Sequence, residues 1–200
     1  MSILVVGGTG TVGSAVVEAL GDRDVVVGGH TSGEVQVDLA DPHSIDRLYE
    51  TVGPVDAVVS CAGEAAFGAL TELTDEDFEM SLSNKLMGQV GLVRRGLDAI
   101  RDGGVFTLTG GVLSQEPIEG SAAISLVNAG LEGFVRAAAL EMPRNIRVNV
   151  VSPPWVDETL EAMGADYAPS LPAATVAEAY LASLDGTQNG AVIDARDVAE

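Results

Sequence analysis

The 200-residue chain has a single lysine, a single cysteine and a single tryptophan, and each scarcity excludes something. With Cys61 alone, no internal disulfide can form, which suits a reducing cytoplasm. Nine arginines and Lys85 face 30 Asp plus Glu, for a formal charge of −20. Nucleic acid or an anionic membrane would be repelled, so neither is expected as a partner. One cysteine and two histidines, His30 and His43, cannot furnish an ordinary structural zinc site, so no metal is expected. No G-x-S-x-G elbow signals a hydrolase. No apolar run is long enough to span a bilayer, and the opening "MSILVVGGTG" has neither a basic n-region nor a cleavage site. A soluble, cytoplasmic protein is expected. Aromatic residues make up only 4% against 46% apolar, so the core must be mostly Val, Ala and Leu. The acid excess reads as a hydrated surface for high salt, where screening removes the self-repulsion. A salt-loving host is the corresponding expectation.

What is present alternates between strand and helix from end to end. "ILVV" (3–6), "DVVVG" (24–28), "VQV" (35–37), "VDAVVS" (55–60), "GVFTLT" (104–109), "IRVNVVS" (146–152) and "GAVIDA" (190–195) read as strands. Helical patterns intervene, one with Asp41 as N-cap and Pro42 at its first position, a long one capped by Thr74. With no repeat and no linker, residues 1–200 read as one domain, an α/β fold with a doubly wound, Rossmann-like parallel sheet of about seven strands. The helix at 122–142 is apolar nearly all round. It predicts packing on the sheet on one side and a partner subunit on the other. A homo-oligomer through helices 75–101 and 122–142 is therefore expected.

"VVGGTGTVG" (5–13) follows a strand and opens a helix. Its glycines, Gly7, Gly8, Gly10 and Gly13, allow a tight turn and close approach of a pyrophosphate to the helix N-terminus, with Thr11 and Val12 in the same turn. A Walker loop is excluded, because Ser14 follows Gly13. An acid gripping a ribose 2′-OH would sit at the end of the second strand, but "GGHTSG" (28–33) has none before Glu34. His30, Thr31 and Ser32 could hydrogen-bond a 2′-phosphate instead. NADP is therefore favoured, with NAD still possible.

With these motifs in hand the chain resembles the short-chain dehydrogenase/reductase family over nearly its whole length. "VDL" (37–39) resembles the segment that contacts adenine, implying roles for Asp38 and Leu39. "VVSCAG" (58–63) stands in the place of the family's Asn-Asn-Ala-Gly, implying that Cys61, Ala62 and Gly63 border the cofactor. "IRVNVVSPPWV" (146–156) resembles the strand and turn beside the nicotinamide, implying Pro153. The resemblance implies a Ser, Tyr, Lys and Asn tetrad, but its alignment puts Gly110, Ile124 and Asn128 in the first three places, with Thr109 one residue before Gly110. Tyr167 and Tyr180 lie outside the motif and could reach the cleft only from the C-terminal segment.

Matching "KLMGQV" to the Asn-x-x-Gly segment puts Lys85 at the relay asparagine, facing the cleft, whereas the other register puts Asn84 there and turns Lys85 away. Lys85 and Thr109 are the candidate catalytic residues. A desolvated ammonium could donate a proton to a carbonyl or neutralise a phosphate or carboxylate. Two functions follow: an oxidoreductase acting on a small carbonyl or alcohol not named by the sequence, or a catalytically silent NAD(P)-binding protein that senses redox state or scaffolds a partner. The segment from Ser152 to Asn189 is short for the family, implying a small lid and a small substrate or an open site.

Overall fold

The computed structural model describes residues 1–198. In chain order, β1 (Ser2–Val6), α1 (Thr11–Ala19), β2 (Asp24–Gly29) and β3 (Val35–Gln36) are followed by α2 (Pro42–Val52) and β4 (Val55–Ser60). A long helix comes next, in three parts: α3 (Asp75–Ser81), a π-helical stretch over Leu82–Met87, and α4 (Gly88–Gly96). Then come β5 (Ile100–Thr109), α5 (Ala122–Ala138) and β6 (Arg147–Ser152). The last section holds β7 (Trp155–Val156), α6 (Asp157–Met163), β8 (Ser170–Leu171), α7 (Ala173–Asp185) and β9 (Val192–Asp194).

Seven strands form one parallel sheet in the order β3-β2-β1-β4-β5-β6-β9, while β7 and β8 make a separate two-stranded ladder. Alternate residues of each strand feed two cores. Leu4, Val6, Val58, Phe106 and Leu108 pack with Ile45, Leu48, Leu92 and Leu131 on one face. Ile3, Val5, Val59 and Val105 pack with Val16, Val176 and Tyr180 on the other. Both faces are covered, which is why the strands read as unbroken apolar runs. The chain winds outward in both directions from the adjacent β1 and β4, and this switch point opens a crevice at their carboxyl ends.

Local chemistry sets the helix starts. Asp41 accepts a hydrogen bond from the His43 N–H at 2.9 Å, with Pro42 following it. Thr74 and Asp77 form a reciprocal capping box, and Asp75, Glu76 and Asp77 place three acids in the first turn, as the dipole prefers. Two expectations need correction. The helix expected over 122–142 ends at Ala138, because the chain must turn through Arg144 and Asn145, both at positive φ, to enter β6. The helix after Thr74 is not uniformly α-helical: it loosens into the π turn at Leu82–Met87, the stretch that carries Lys85.

Candidate active site

The turn from β1 into α1 is shaped by its glycines. A Cβ on Gly13 would stand 2.0 Å from the Gly7 carbonyl oxygen, so nothing but glycine fits there. No side chain caps α1, which leaves its first backbone N–H groups directed at the crevice for an anion. A cavity of about 290 Å³ opens beside it, lined by Gly7, His30, Asp38, Leu39, Ala62 and Gly63 among others. Asn84 also lines this cavity, and its Oδ1 accepts from the Glu64 N–H at 2.8 Å, holding the loop after β4.

A second cavity of about 310 Å³ adjoins the first at Gly63. Val12, Leu113, Ile124, Pro153, Pro154, Trp155 and Val156 give it apolar walls, while Lys85, Asn128 and Thr159 supply polar groups. The π turn delivers Lys85 here, buried at 9% exposure. Its stem runs across Gly63, where an added Cβ would lie 2.9 Å from the lysine Cγ and where φ is +134°. Lys85 Nζ donates to the Gly110 carbonyl at 3.3 Å, and no carboxylate lies within ion-pair distance among the described residues. Loss of hydration therefore pulls the ammonium down to about 8. Asn128 enters from α5, and its Nδ2 donates to the Gly111 carbonyl at 3.3 Å. Its Oδ1 is buried without a hydrogen-bond partner among the described residues.

The family model described as enoyl-(acyl carrier protein) reductase matches residues 14–191. The chain belongs to the short-chain dehydrogenase/reductase family. It is 29% identical, over an alignment of 221 positions including gaps, to the 3-oxoacyl-[acyl-carrier-protein] reductase MabA of Mycobacterium tuberculosis, covering 96% of this chain and 90% of that one. The solved structure of the protein lin1944 from Listeria innocua is 42% identical with a TM-score of 0.94, covering 97% of this chain and 98% of that one. A small-chain dehydrogenase solved in complex with NADPH shares the fold at 24% identity and a TM-score of 0.84, covering 97% and 95% of the two chains. This is an oxidoreductase family, and the α/β sheet and crevice are its architecture.

Within this short-chain dehydrogenase/reductase, the residues singled out from sequence fall into three groups. Gly7, Val12, His30, Asp38, Leu39, Ala62, Gly63, Lys85 and Pro153 line the two cavities. Gly8, Gly10, Thr11 and Gly13 shape the turn beside them, while Thr31 and Ser32 sit exposed on the loop after β2, where Ser32 Oγ donates to Thr9 Oγ1 at 3.1 Å. Thr109 and Cys61 point elsewhere. Thr109 reaches the cavity wall, but its hydroxyl donates to the Ser60 carbonyl and accepts from Tyr180, 2.6 Å away. Cys61 packs in the core shared by α1 and α7, where burial pushes its thiol up to about 12. Tyr180 is wholly buried beneath the sheet, its phenol held well above the usual range by desolvation, so it does not reach the cleft.

Sequence reasoning missed Leu113 and Thr159 on the wall of the second cavity, and also Gln89 and Phe67. Gln89, 0% exposed, clamps both backbone groups of Thr109 through its amide, at 2.8 and 2.9 Å, and ties α4 to the end of β5. A polar residue on the buried face of a helix was the available signal. Phe67, 40% exposed, meets edge-on the Trp155 ring that lines the second cavity, and nothing in its local sequence pattern marks it.

Proposed function

We propose that the protein is an NADP(H)-preferring oxidoreductase that reduces a small carbonyl compound, with Lys85 as the proton donor. The observation that carries this reading is a buried ammonium with no counter-charge among the described residues, lining the same cavity as the Asn128 Oδ1. The protein's donor and acceptor set fits a dinucleotide. The uncapped N–H groups at the start of α1 suit its pyrophosphate, the pocket of Asp38, Leu39 and Ala62 suits adenine, and Asn128 Oδ1 suits a ribose hydroxyl. When bound, NADPH would supply a hydride to the carbonyl carbon. Lys85 then gives its proton to the carbonyl oxygen and regains one from solvent; a value near neutrality suits both steps. The apolar walls at Ile124, Leu113 and Val156 exclude bulk water from the reacting atoms.

The preference for NADP over NAD rests on the end of β2. The first acid after β2 in the chain, Glu34, accepts from the Val27 N–H at 3.1 Å through one carboxylate oxygen, while the Thr9 and Ser32 hydroxyls lie together, 3.1 Å apart. With Ile124 and Asn128 where the resemblance implies Tyr and Lys, the proton must come from another group, and Lys85 is the ionisable side chain on the wall of that cavity. The same two residues favour a second reading, a silent NADP(H)-binding protein. NADPH consumption with a panel of small aldehydes and ketones in molar KCl, for the native chain and Lys85→Met, separates the two. Turnover that falls at least a hundredfold in the variant supports the first. NADPH binding without turnover supports the second.

A further inference from the structure

The chain has four Phe, one Trp and three Tyr, and three of these eight rings meet beside the second cavity, which one of them, Trp155, lines. Trp155 stacks on Tyr167 with centroids 4.9 Å apart and planes 18° off parallel. Phe67 meets Trp155 edge-on at 5.8 Å and 78°, and Tyr167 at 6.3 Å and 63°. They come from two different connections: Phe67 from the one after β4, Trp155 and Tyr167 from the one after β6. Phe67 also rests on Gly120 in the connection after β5, where an added Cβ would lie 3.2 Å from its ring. The cluster thus bridges three segments that follow three neighbouring strands.

It is not a closed core. Phe67 and Tyr167 remain 40% and 37% exposed. In a chain this acidic and this poor in aromatics, exposed rings gathered at one place mark a contact surface. Trp155 belongs to both regions, since it lines the cavity that holds Lys85 and Asn128. That cavity is about 310 Å³ and must also take the nicotinamide, which leaves room for roughly one further ring.

We infer that the substrate carries an aromatic or similarly planar conjugated ring beside its carbonyl, and that Phe67, Trp155 and Tyr167 select it. The inference rests on the oxidoreductase reading above. Ring edges and faces left open by the cluster accept a further ring in offset or edge-on contact, which a saturated ring of equal size cannot match. Elsewhere the wall is aliphatic, with Val12, Leu113, Ile124 and Val156 offering shape but no such preference.

The test compares benzaldehyde with cyclohexanecarbaldehyde, matched in size, in NADPH oxidation assays in molar KCl. The expected result is a kcat/KM at least severalfold higher for the aromatic aldehyde. Phe67→Leu and Tyr167→Leu, checked for retained folding by circular dichroism, should each lower the ratio of kcat/KM for benzaldehyde over cyclohexanecarbaldehyde about two- to tenfold. Equal turnover of the two aldehydes, or an unchanged ratio in the variants, overturns the inference and leaves the oxidoreductase reading intact. If neither aldehyde is reduced, that reading fails, and binding decides the inference. Trp155 is the sole tryptophan, so its fluorescence reports the cluster. Saturable quenching by benzyl alcohol but not by cyclohexylmethanol, weakened in Phe67→Leu, upholds the ring site; identical responses to the two alcohols overturn it.

Discussion

Replacing Lys85 with Met should make the protein more stable near neutral pH and should do so by an amount that depends on pH. In the folded state burial lowers the ammonium from 10.5 to about 8. The folded chain therefore holds this proton less tightly than the unfolded chain does. Between about pH 8 and 10.5 the unfolded state carries the proton and the folded state does not, so native stability rises with pH across that window. Below it, burying the charged amine costs about 3 kcal/mol, since each tenfold loss of proton affinity between 10.5 and about 8 is worth a little under 1.4 kcal/mol. Methionine is similar in length and apolar, and it removes that cost without opening a large void. Urea unfolding in molar KCl should show Lys85→Met ahead by up to about 3 kcal/mol near pH 7, with the gap closing above about pH 10.5. A gap that stays constant over this range would refute the reasoning, since it would mean that Lys85 titrates alike in both states. The same group predicts the rate profile: carbonyl reduction should decline above about pH 8 as the donor loses its proton, and alcohol oxidation should rise to a plateau there.

Gly13→Ala drives a Cβ to 2.0 Å from the Gly7 oxygen, so NADPH binding measured by nicotinamide fluorescence should be lost, with a stability loss of about 2 kcal/mol or more. Tyr180→Phe removes the donor to Thr109 and should cost about 1–2 kcal/mol in chemical denaturation while leaving NADPH affinity unchanged. A parallel loss of NADPH affinity would show that Thr109 acts in the cleft after all. The outer face of α5, with Leu126 at 48% exposure beside Ala122, Ala129, Gly133 and Ala137, is proposed to meet a second copy of the chain. Leu126→Glu should then shift the protein to a smaller species in sedimentation, and an unchanged mass would remove this face as the interface.

Much of this architecture was legible because its signals are local. The stretch "VDAVVS" is apolar, β-branched and closed off by Gly53-Pro54 and Gly63, and it forms β4 with the bounds its pattern predicts. The glycine turn and the Asp41 and Thr74 caps declare themselves within a few residues. The end of α5 did not, because "ALEM" continues a good helical pattern and only the need to enter β6 stops it. Thr109 looked available because a sequence records a hydroxyl and not its partner; the fold commits it to Ser60 and Tyr180, 71 residues away in the chain. The aromatic cluster was illegible for the same reason, since Phe67, Trp155 and Tyr167 share no local pattern.

The π turn at Leu82–Met87 carries a consequence for how such a site can change. Each residue of a regular helix advances the next by about 100°, and the wider turn absorbs one residue more than the regular spacing would take. The two flanks are pinned independently, α3 by its capping box and α4 by the Gln89 clamp on Thr109. Deleting one residue between them would restore an ordinary helix without moving either anchor. Asn84 and Lys85 now line adjoining cavities, so such a deletion would change which of them lines the second one. An amide that only orients would replace an amine that can give up a proton. A single-codon insertion or loss in this helix is thus a short mutational route between the proton-donating cleft proposed above and a merely binding one.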